Sequence, residues 1–272
     1  MSNEYEGRRV VVTGAASGIG GSTARLLAEQ GAEVYGLDVK PVETAGVQFV
    51  ATDLSNPSAI DETVSAIPDG VDGLFNCAGL PQTFGPEAVM KVNFLGLRHL
   101  TQAMVPKMNE GSGVASVASV GGLGWPDLID PIKDLLTTKD FAEGEQWVKD
   151  HADVVDSGYR FSKACVIVYS MYASYDLIRR GIRINSVSPG DTLTPMTSAF
   201  KEFYGAEMWE NRELPIGRPA HPDEQAAALL FANSRGASYL SGTNLVIDAG
   251  ATAARLFGQV STAGNLPGTK GA

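Results

Sequence analysis

Cysteine and histidine are scarce in this 272-residue chain, with two of the first and three of the second. The two thiols, Cys77 and Cys165, fall in an apolar strand-like run and a helical run. That placement predicts buried free thiols, not a disulfide framework, and so a reducing cytoplasm. His99, His151 and His221 are scattered with no ligand spacing, which argues against a metal centre. Long apolar runs are missing as well, which excludes a membrane-spanning helix. The first residues, Met1 to Gly7, have neither the basic start nor the continuous apolar stretch of a secretory signal. Positive charge is in deficit: 21 Lys and Arg stand against 31 Asp and Glu, a formal net charge of -10. Such a chain repels phosphate backbones and anionic lipid, so nucleic acid and membranes are poor partners.

What is present is a rhythm. Short β-branched runs alternate with helical stretches: Arg9–Thr13, a helix from about Gly18 to Gln30, then Glu33–Asp38. Further strands are expected at Val47 to Ala51, Gly73 to Asn76, Val114 to Ser119, Arg183 to Val187 and Asn244 to Ile247. The alternation implies βαβ units and hence a parallel sheet. The expected fold is α/β, a single doubly wound Rossmann domain over residues 1–255, with roughly seven parallel strands and helices on both faces. Two segments break the rhythm, one from about Leu123 to Ser157 and the other the Gly- and Thr-rich tail of residues 256–272.

The first strand runs directly into Thr13-Gly14-Ala15-Ala16-Ser17-Gly18-Ile19-Gly20, which opens a helix. Glycines at such a junction let the chain turn tightly and bring backbone N–H groups and the helix N-terminus up to a pyrophosphate. Asp38, at the end of the second strand, stands where an acid accepts hydrogen bonds from an adenosine ribose diol. It favours NAD, since a 2′-phosphate there would meet carboxylate repulsion that neither Ala15 nor Ala16 offsets.

From the glycine loop onward, the chain resembles the short-chain dehydrogenase/reductase family over roughly its first 250 residues. The spacing of Gly14, Ser17, Gly18, Ile19 and Gly20 is similar to that family's loop. Asp53-Leu54 looks like its adenine-contacting pair. Asn76-Cys77-Ala78-Gly79 resembles its Asn-Asn-Ala-Gly motif, with Cys77 in place of the second Asn, a change expected to touch strand packing only. Asn93 matches the helical Asn of the catalytic set, Ser119 the catalytic Ser, and Pro189, Gly190, Thr192 and Thr194 the segment that holds the nicotinamide carboxamide. Tyr159 and Lys163 complete the set. The resemblance implies that Tyr159 exchanges the substrate hydroxyl proton, Lys163 lowers its pKa and holds the nicotinamide ribose, Ser119 donates to the substrate oxygen, and Asn93 anchors a water relay. It also implies hydride transfer on the pro-S face.

The chemistry is consistent with the residues themselves. Tyr159 and Lys163 are four apart, on one helix face. A phenol is a poor base at neutral pH, but an adjacent ammonium and a positive nicotinamide both favour phenolate. The expected activity is NAD-dependent hydride transfer between nicotinamide and a secondary alcohol or ketone; the alternative is a non-catalytic NAD-binding sensor or scaffold of the same fold. Ser119 and Tyr159 lie further apart than is common in the family, so an insertion, about 123–157, sits beside the site. Its Trp125-Pro126, Leu128-Ile129, Leu135-Leu136, Phe141 and Trp147 suggest amphipathic helices with faces to bury. A similar insert occurs in the subset of the family that includes bacterial 3-alpha-hydroxysteroid dehydrogenase/carbonyl reductase and coniferyl-alcohol dehydrogenase, which points to a bulky apolar substrate. The insertion is expected to cover the substrate pocket and to alter the subunit contact of a homo-oligomer, dimer or tetramer.

Overall fold

The computed structural model describes residues 4–260. Seven strands form one sheet: β1 (Arg9–Thr13), β2 (Glu33–Asp38), β3 (Val47–Ala51), β4 (Val71–Asn76), β5 (Met108–Val117), β6 (Arg183–Pro189) and β7 (Asn244–Ile247). Their order is β3-β2-β1-β4-β5-β6-β7, with every neighbouring pair parallel. Chain order reverses direction between β1 and β4. At that point the crossovers leave to opposite sides and open a crevice at the carboxyl ends of the strands.

Side chains alternate along the strands, so each strand feeds two cores. Val10, Val12, Val34, Phe75, Ala115 and Val187 pack with helices α1 (Gly18–Glu29) and α11 (Pro222–Asn233) on one face. Val11, Leu37, Leu74, Val114 and Ile184 pack on the other face. Their partners there are α2 (Pro57–Ala66), the short α3 (Pro86–Met90) with the π turn Lys91–Gly96 that follows it, α4 (Leu97–Met104) and the long α8 (Tyr159–Ile178). Because both faces are covered, β6 is buried along its whole length, whereas the edge strands β3 and β7 are only partly buried.

The segment between Ser119 and Tyr159 folds into a short turn, Trp125–Leu128, and helices α5 (Ile129–Leu136), α6 (Phe141–Asp150) and α7 (Ala152–Val155). Its apolar residues Ile132, Leu135, Phe141, Trp147, Val148 and Val155 join the core of the α4–α8 face. Trp147 stacks on Phe161 of α8 at 5.8 Å and 6°. Gly144 allows close approach of α6 to the π turn, where an added Cβ would meet Leu95 Cδ2 at 2.7 Å. Arg98, 4% exposed, donates to the carbonyls of Leu135 and Asp140 and to Thr138 Oγ1. A buried guanidinium is thus paired with neutral oxygens of the α5–α6 connection, which offset part of its desolvation. Beyond β6, helices α9 (Met196–Tyr204) and α10 (Ala206–Glu210) lie over the crevice, and α12 (Ala251–Leu256) closes the described chain. The expected tail therefore begins with the last residue of a helix, and its residues 261–272 lie outside the described part.

Candidate active site

A cavity of about 1030 Å³ occupies the crevice at the strand ends. Gly14, Ser17, Gly18, Ile19 and Gly20 form one wall. Asp38, Asp53 and Leu54 lie along it, Ala78 and Gly79 form the floor, and Pro189, Gly190, Thr192 and Thr194 form the far side. Two glycines of the loop are each there for a different reason. Gly14 has φ 68, and an added Cβ would stand 2.8 Å from Ala78 Cα; at Gly20 it would meet Gly14 O at 2.2 Å. Gly20 thus lets α1 start against the end of β1, and no side chain caps its first turn. The uncapped N–H groups open on the cavity and suit a pyrophosphate. Asp38 is held in place, its Oδ2 accepting from Ala16 N at 3.1 Å and its Oδ1 from Lys40 N at 2.9 Å. Thr13 Oγ1, accepting from Cys77 N and Ala78 N, ties β1 to the end of β4 at the reversal point. These residues fit a nicotinamide dinucleotide, with uncapped amides for the phosphates.

The catalytic candidates meet at the inner end. Ser119 lies two residues past β5 and caps a tight turn, its Oγ accepting from Gly121 N at 3.0 Å. Gly122 seats that turn against α8, since an added Cβ would lie 2.6 Å from the Lys163 carbonyl carbon. Tyr159 opens α8, and Lys163 follows one turn later with its Nζ donating to Val117 O at 2.8 Å, 5.9 Å from the Tyr159 ring centroid. Asn93, fully buried in the π turn, accepts from Leu80 N and donates to Leu80 O and Ser162 Oγ. Asn93 and Lys163 converge on Gly79, where an added Cβ would sit 3.4 Å from Asn93 Oδ1 and 3.5 Å from Lys163 Nζ. Such π turns recur at functional sites because they re-aim one side chain within a helix.

Burial dominates the charge states. It pushes the Tyr159 hydroxyl up to about 12, against a hydrogen bond with Ser119 that works to lower it, and drives Lys163 down to about 8. Desolvation disfavours both charged forms, so it opposes the phenolate that an adjacent ammonium and a positive nicotinamide are expected to favour.

The descriptions of two family models cover this architecture: "short chain dehydrogenase" matches residues 8–127 and "Enoyl-(Acyl carrier protein) reductase" matches 147–252. Coniferyl-alcohol dehydrogenase from a Pseudomonas species is 36% identical over 89% of this chain and 96% of that one. The 3-alpha-hydroxysteroid dehydrogenase/carbonyl reductase of Comamonas testosteroni is 31% identical over 89% of this chain and 95% of its own length. The chain belongs to the short-chain dehydrogenase/reductase family. Among solved structures, the 3-alpha-hydroxysteroid dehydrogenase from a Pseudomonas species, complexed with NADH, superposes with a TM-score of 0.78. It is 28% identical and spans 93% of this chain and all of that one, 100%.

Against that family frame, three expectations change. Asn76 does not line the cavity: it is 2% exposed, and its Nδ2 donates to Thr101 Oγ1 and Ser116 Oγ, tying β4 to α4 and β5. Strand alternation turns it to the α4 face, away from the crevice. Cys77, expected to bear on strand packing only, borders the cavity, where burial holds its thiol up at about 12. The insertion does not cover the cavity, since none of residues 123–157 lines it; its apolar faces are spent on α4 and α8. The aromatic lining comes from a segment without a sequence motif, Phe200 and Tyr204 of α9 and Trp209 of α10, with Phe84 also lining the cavity. The only signal was a density of aromatic residues after Pro195. Lys40, two residues past Asp38, also lines the cavity, a cation that the glycine-loop positions Ala15 and Ala16 do not signal. Among the described residues, no group of His, Cys, Asp or Glu is placed to hold a metal ion.

Proposed function

We propose that this chain is an NAD-dependent dehydrogenase/reductase acting on a secondary alcohol/ketone pair that is bulky and apolar, hydroxysteroid-like or an aromatic alcohol. The observation that carries the reading is one cavity lined by the glycine loop, Asp38, Ser119, Tyr159 and Lys163 together. Bound NAD would supply the hydride acceptor. Tyr159 takes the substrate hydroxyl proton in the oxidative direction, and Ser119, already hydrogen-bonded to Tyr159, holds the substrate oxygen. Lys163 holds the nicotinamide ribose. Asn93 anchors the proton path behind Lys163 through the groups that meet at Gly79. NAD is favoured over NADP because the Asp38 carboxylate is fixed at the ribose position by Ala16 N–H. The apolar substrate class rests on the aromatic cover and on the two relatives named above. A homo-oligomer, dimer or tetramer, and a cytoplasmic setting complete the proposal.

The test is a screen of secondary and aromatic alcohols with NAD and NADP, following NADH absorbance, beside Tyr159→Phe. NADH formation that falls by at least about a hundredfold in Tyr159→Phe, with NADH affinity within twofold, is the expected result. NAD binding without turnover of any alcohol or ketone would overturn it in favour of a sensor or scaffold.

A further inference from the structure

The cover of the cavity is lightly anchored. Helix α9 has no fully buried residue, so its position depends on a few side-chain contacts. One of them, the Lys201–Glu210 ion pair at 2.7 Å, is solvent-exposed and only links α9 to α10. A second set reaches the body of the protein. Arg212 Nε donates to Asp191 Oδ2 at 2.7 Å, with the two side chains only 18% and 22% exposed. Asp191 follows the Pro189-Gly190 end of β6 and is therefore fixed to the sheet. The same guanidinium lies 3.9 Å from the Trp209 ring centroid and donates to the Trp209 carbonyl. Trp209 stacks on Phe200 at 5.9 Å and 12°, and Phe200 meets the Tyr159 ring edge-on at 5.3 Å and 77°. An unbroken line of contacts thus runs from the sheet through Asp191, Arg212, Trp209 and Phe200 to the reacting phenol.

We propose that Arg212 is a positioning residue that fixes Trp209 and Phe200 as an aromatic wall beside Tyr159, and that this wall selects substrates with a planar ring next to the reacting carbon. The inference rests on the oxidoreductase reading above. Arginine suits the role because its planar guanidinium can stack on an indole and pair with a carboxylate at once, which a lysine ammonium cannot do. An aromatic wall discriminates rings beyond simple burial. A planar ring gains edge and face contacts with Phe200 and Trp209, whereas a saturated ring of equal size gains only area.

The experiment compares naphthyl ethanol, a planar secondary alcohol, with its fully saturated decalyl counterpart. The wild type, Trp209→Leu, Trp209→Phe, Arg212→Met and Arg212→Lys are measured for kcat and KM on both and for NADH affinity. The contribution of Trp209 to emission is read in the wild type and the two Arg212 variants as the difference from the same chain carrying Trp209→Phe, since Trp125 and Trp147 also emit. The preference for the planar alcohol in kcat/KM is expected to fall by about tenfold in Trp209→Leu, mostly through KM. Arg212→Met should fall in the same direction with altered Trp209 emission. Arg212→Lys should be intermediate, and Trp209→Phe should restore most of the preference. NADH affinity should stay within twofold throughout, which separates the wall from a general loss of fold. An unchanged preference in both Arg212→Met and Trp209→Leu would overturn the proposal. If the wild type turns over other alcohols of the screen but neither of these two, the proposal for the wall is overturned; if it turns over no alcohol or ketone at all, the oxidoreductase reading fails instead. The wall is then judged by quenching of the part of the emission that Trp209→Phe removes, and equal affinity for the two alcohols would overturn it.

Discussion

At the scale of single residues, the site is built from groups held in states they would not choose in water. Lys163 is 3% exposed and lacks a carboxylate partner, and burial lowers its folded pKa from 10.5 to about 8. Below about pH 8 both folded and unfolded chains carry this proton. Between about 8 and 10.5 the unfolded chain still binds it while the folded chain has lost it, so stability from this group rises with pH across that window. The whole gain is on the order of 3 kcal/mol. Thiols and phenols with raised folded values act in the opposite sense at higher pH, so the test is a difference: urea unfolding of wild type and Lys163→Met at several pH values. The wild type should gain on the variant from pH 8 upward; parallel curves would rule the effect out. A second residue-scale expectation concerns Asp38. Replacing it with Ser keeps an acceptor for the Ala16 N–H but removes the charge, and should narrow the ratio of kcat/KM for NAD over NADP by at least about tenfold. Equal efficiency of the wild type with the two cofactors would sink the assignment. Lys40, beside Asp38 on the cavity wall, is the residue to vary next.

At the scale of elements, the insertion between Ser119 and Tyr159 decides how the second half of the chain is presented. It emerges beside the site and returns to it at Gly158, where φ is 81 and an added Cβ would stand 2.8 Å from Pro86 Cα. Yet its mass lies on α4 and α8. Trp147 is the keystone of that packing, stacked between Phe161 and His151, with its Nε1 donating to Asp134 Oδ2 at 2.6 Å. Trp147→Ala should therefore cost about 3–5 kcal/mol of stability, since it opens a large cavity in the α4–α8 core. KM for bulky and small alcohols should change alike, because the insertion forms no part of the pocket lining. A rise in KM confined to bulky substrates, with stability unchanged, would restore the pocket-cover role that the geometry removes. Much of this element was legible beforehand: its apolar residues and their need for burial stand in the sequence. The surface that satisfies them does not, because two apolar faces at equal chain distance, the pocket and α8, compete for the same helices.

At the scale of the whole molecule, the insertion packs on the π turn, α4 and α8, and so bears on how copies assemble. The expected mass in solution is that of a dimer or tetramer, measured by light scattering at micromolar concentration. Replacing residues 127–153 with a short Gly-rich bridge should change that mass while preserving NADH binding. A monomeric parent protein, or an identical mass for the shortened one, would reject the assembly role. The described residues contain no helix long and apolar enough to cross a membrane.

What the sequence by itself determined is everything governed by local rules. The strand and helix alternation follows from side-chain periodicity, the glycine loop from positive φ and close approach, and the Tyr159–Lys163 pair from the helical repeat. Each of the seven expected runs falls on a strand, but β5 starts six residues earlier than its apolar run, at Met108, and ends at Val117, leaving Ser119 just beyond it. Tertiary structure alone decided the rest. Asn76 turns to α4 because strand alternation is read against helices that pack from elsewhere in the chain. Tyr159 and Lys163 take their perturbed pKa values from the depth at which β5, the Ser119 turn and α8 enclose them. The aromatic cover depends on Asp191 and Arg212 meeting across 21 positions of chain, a contact that neither composition nor local periodicity encodes.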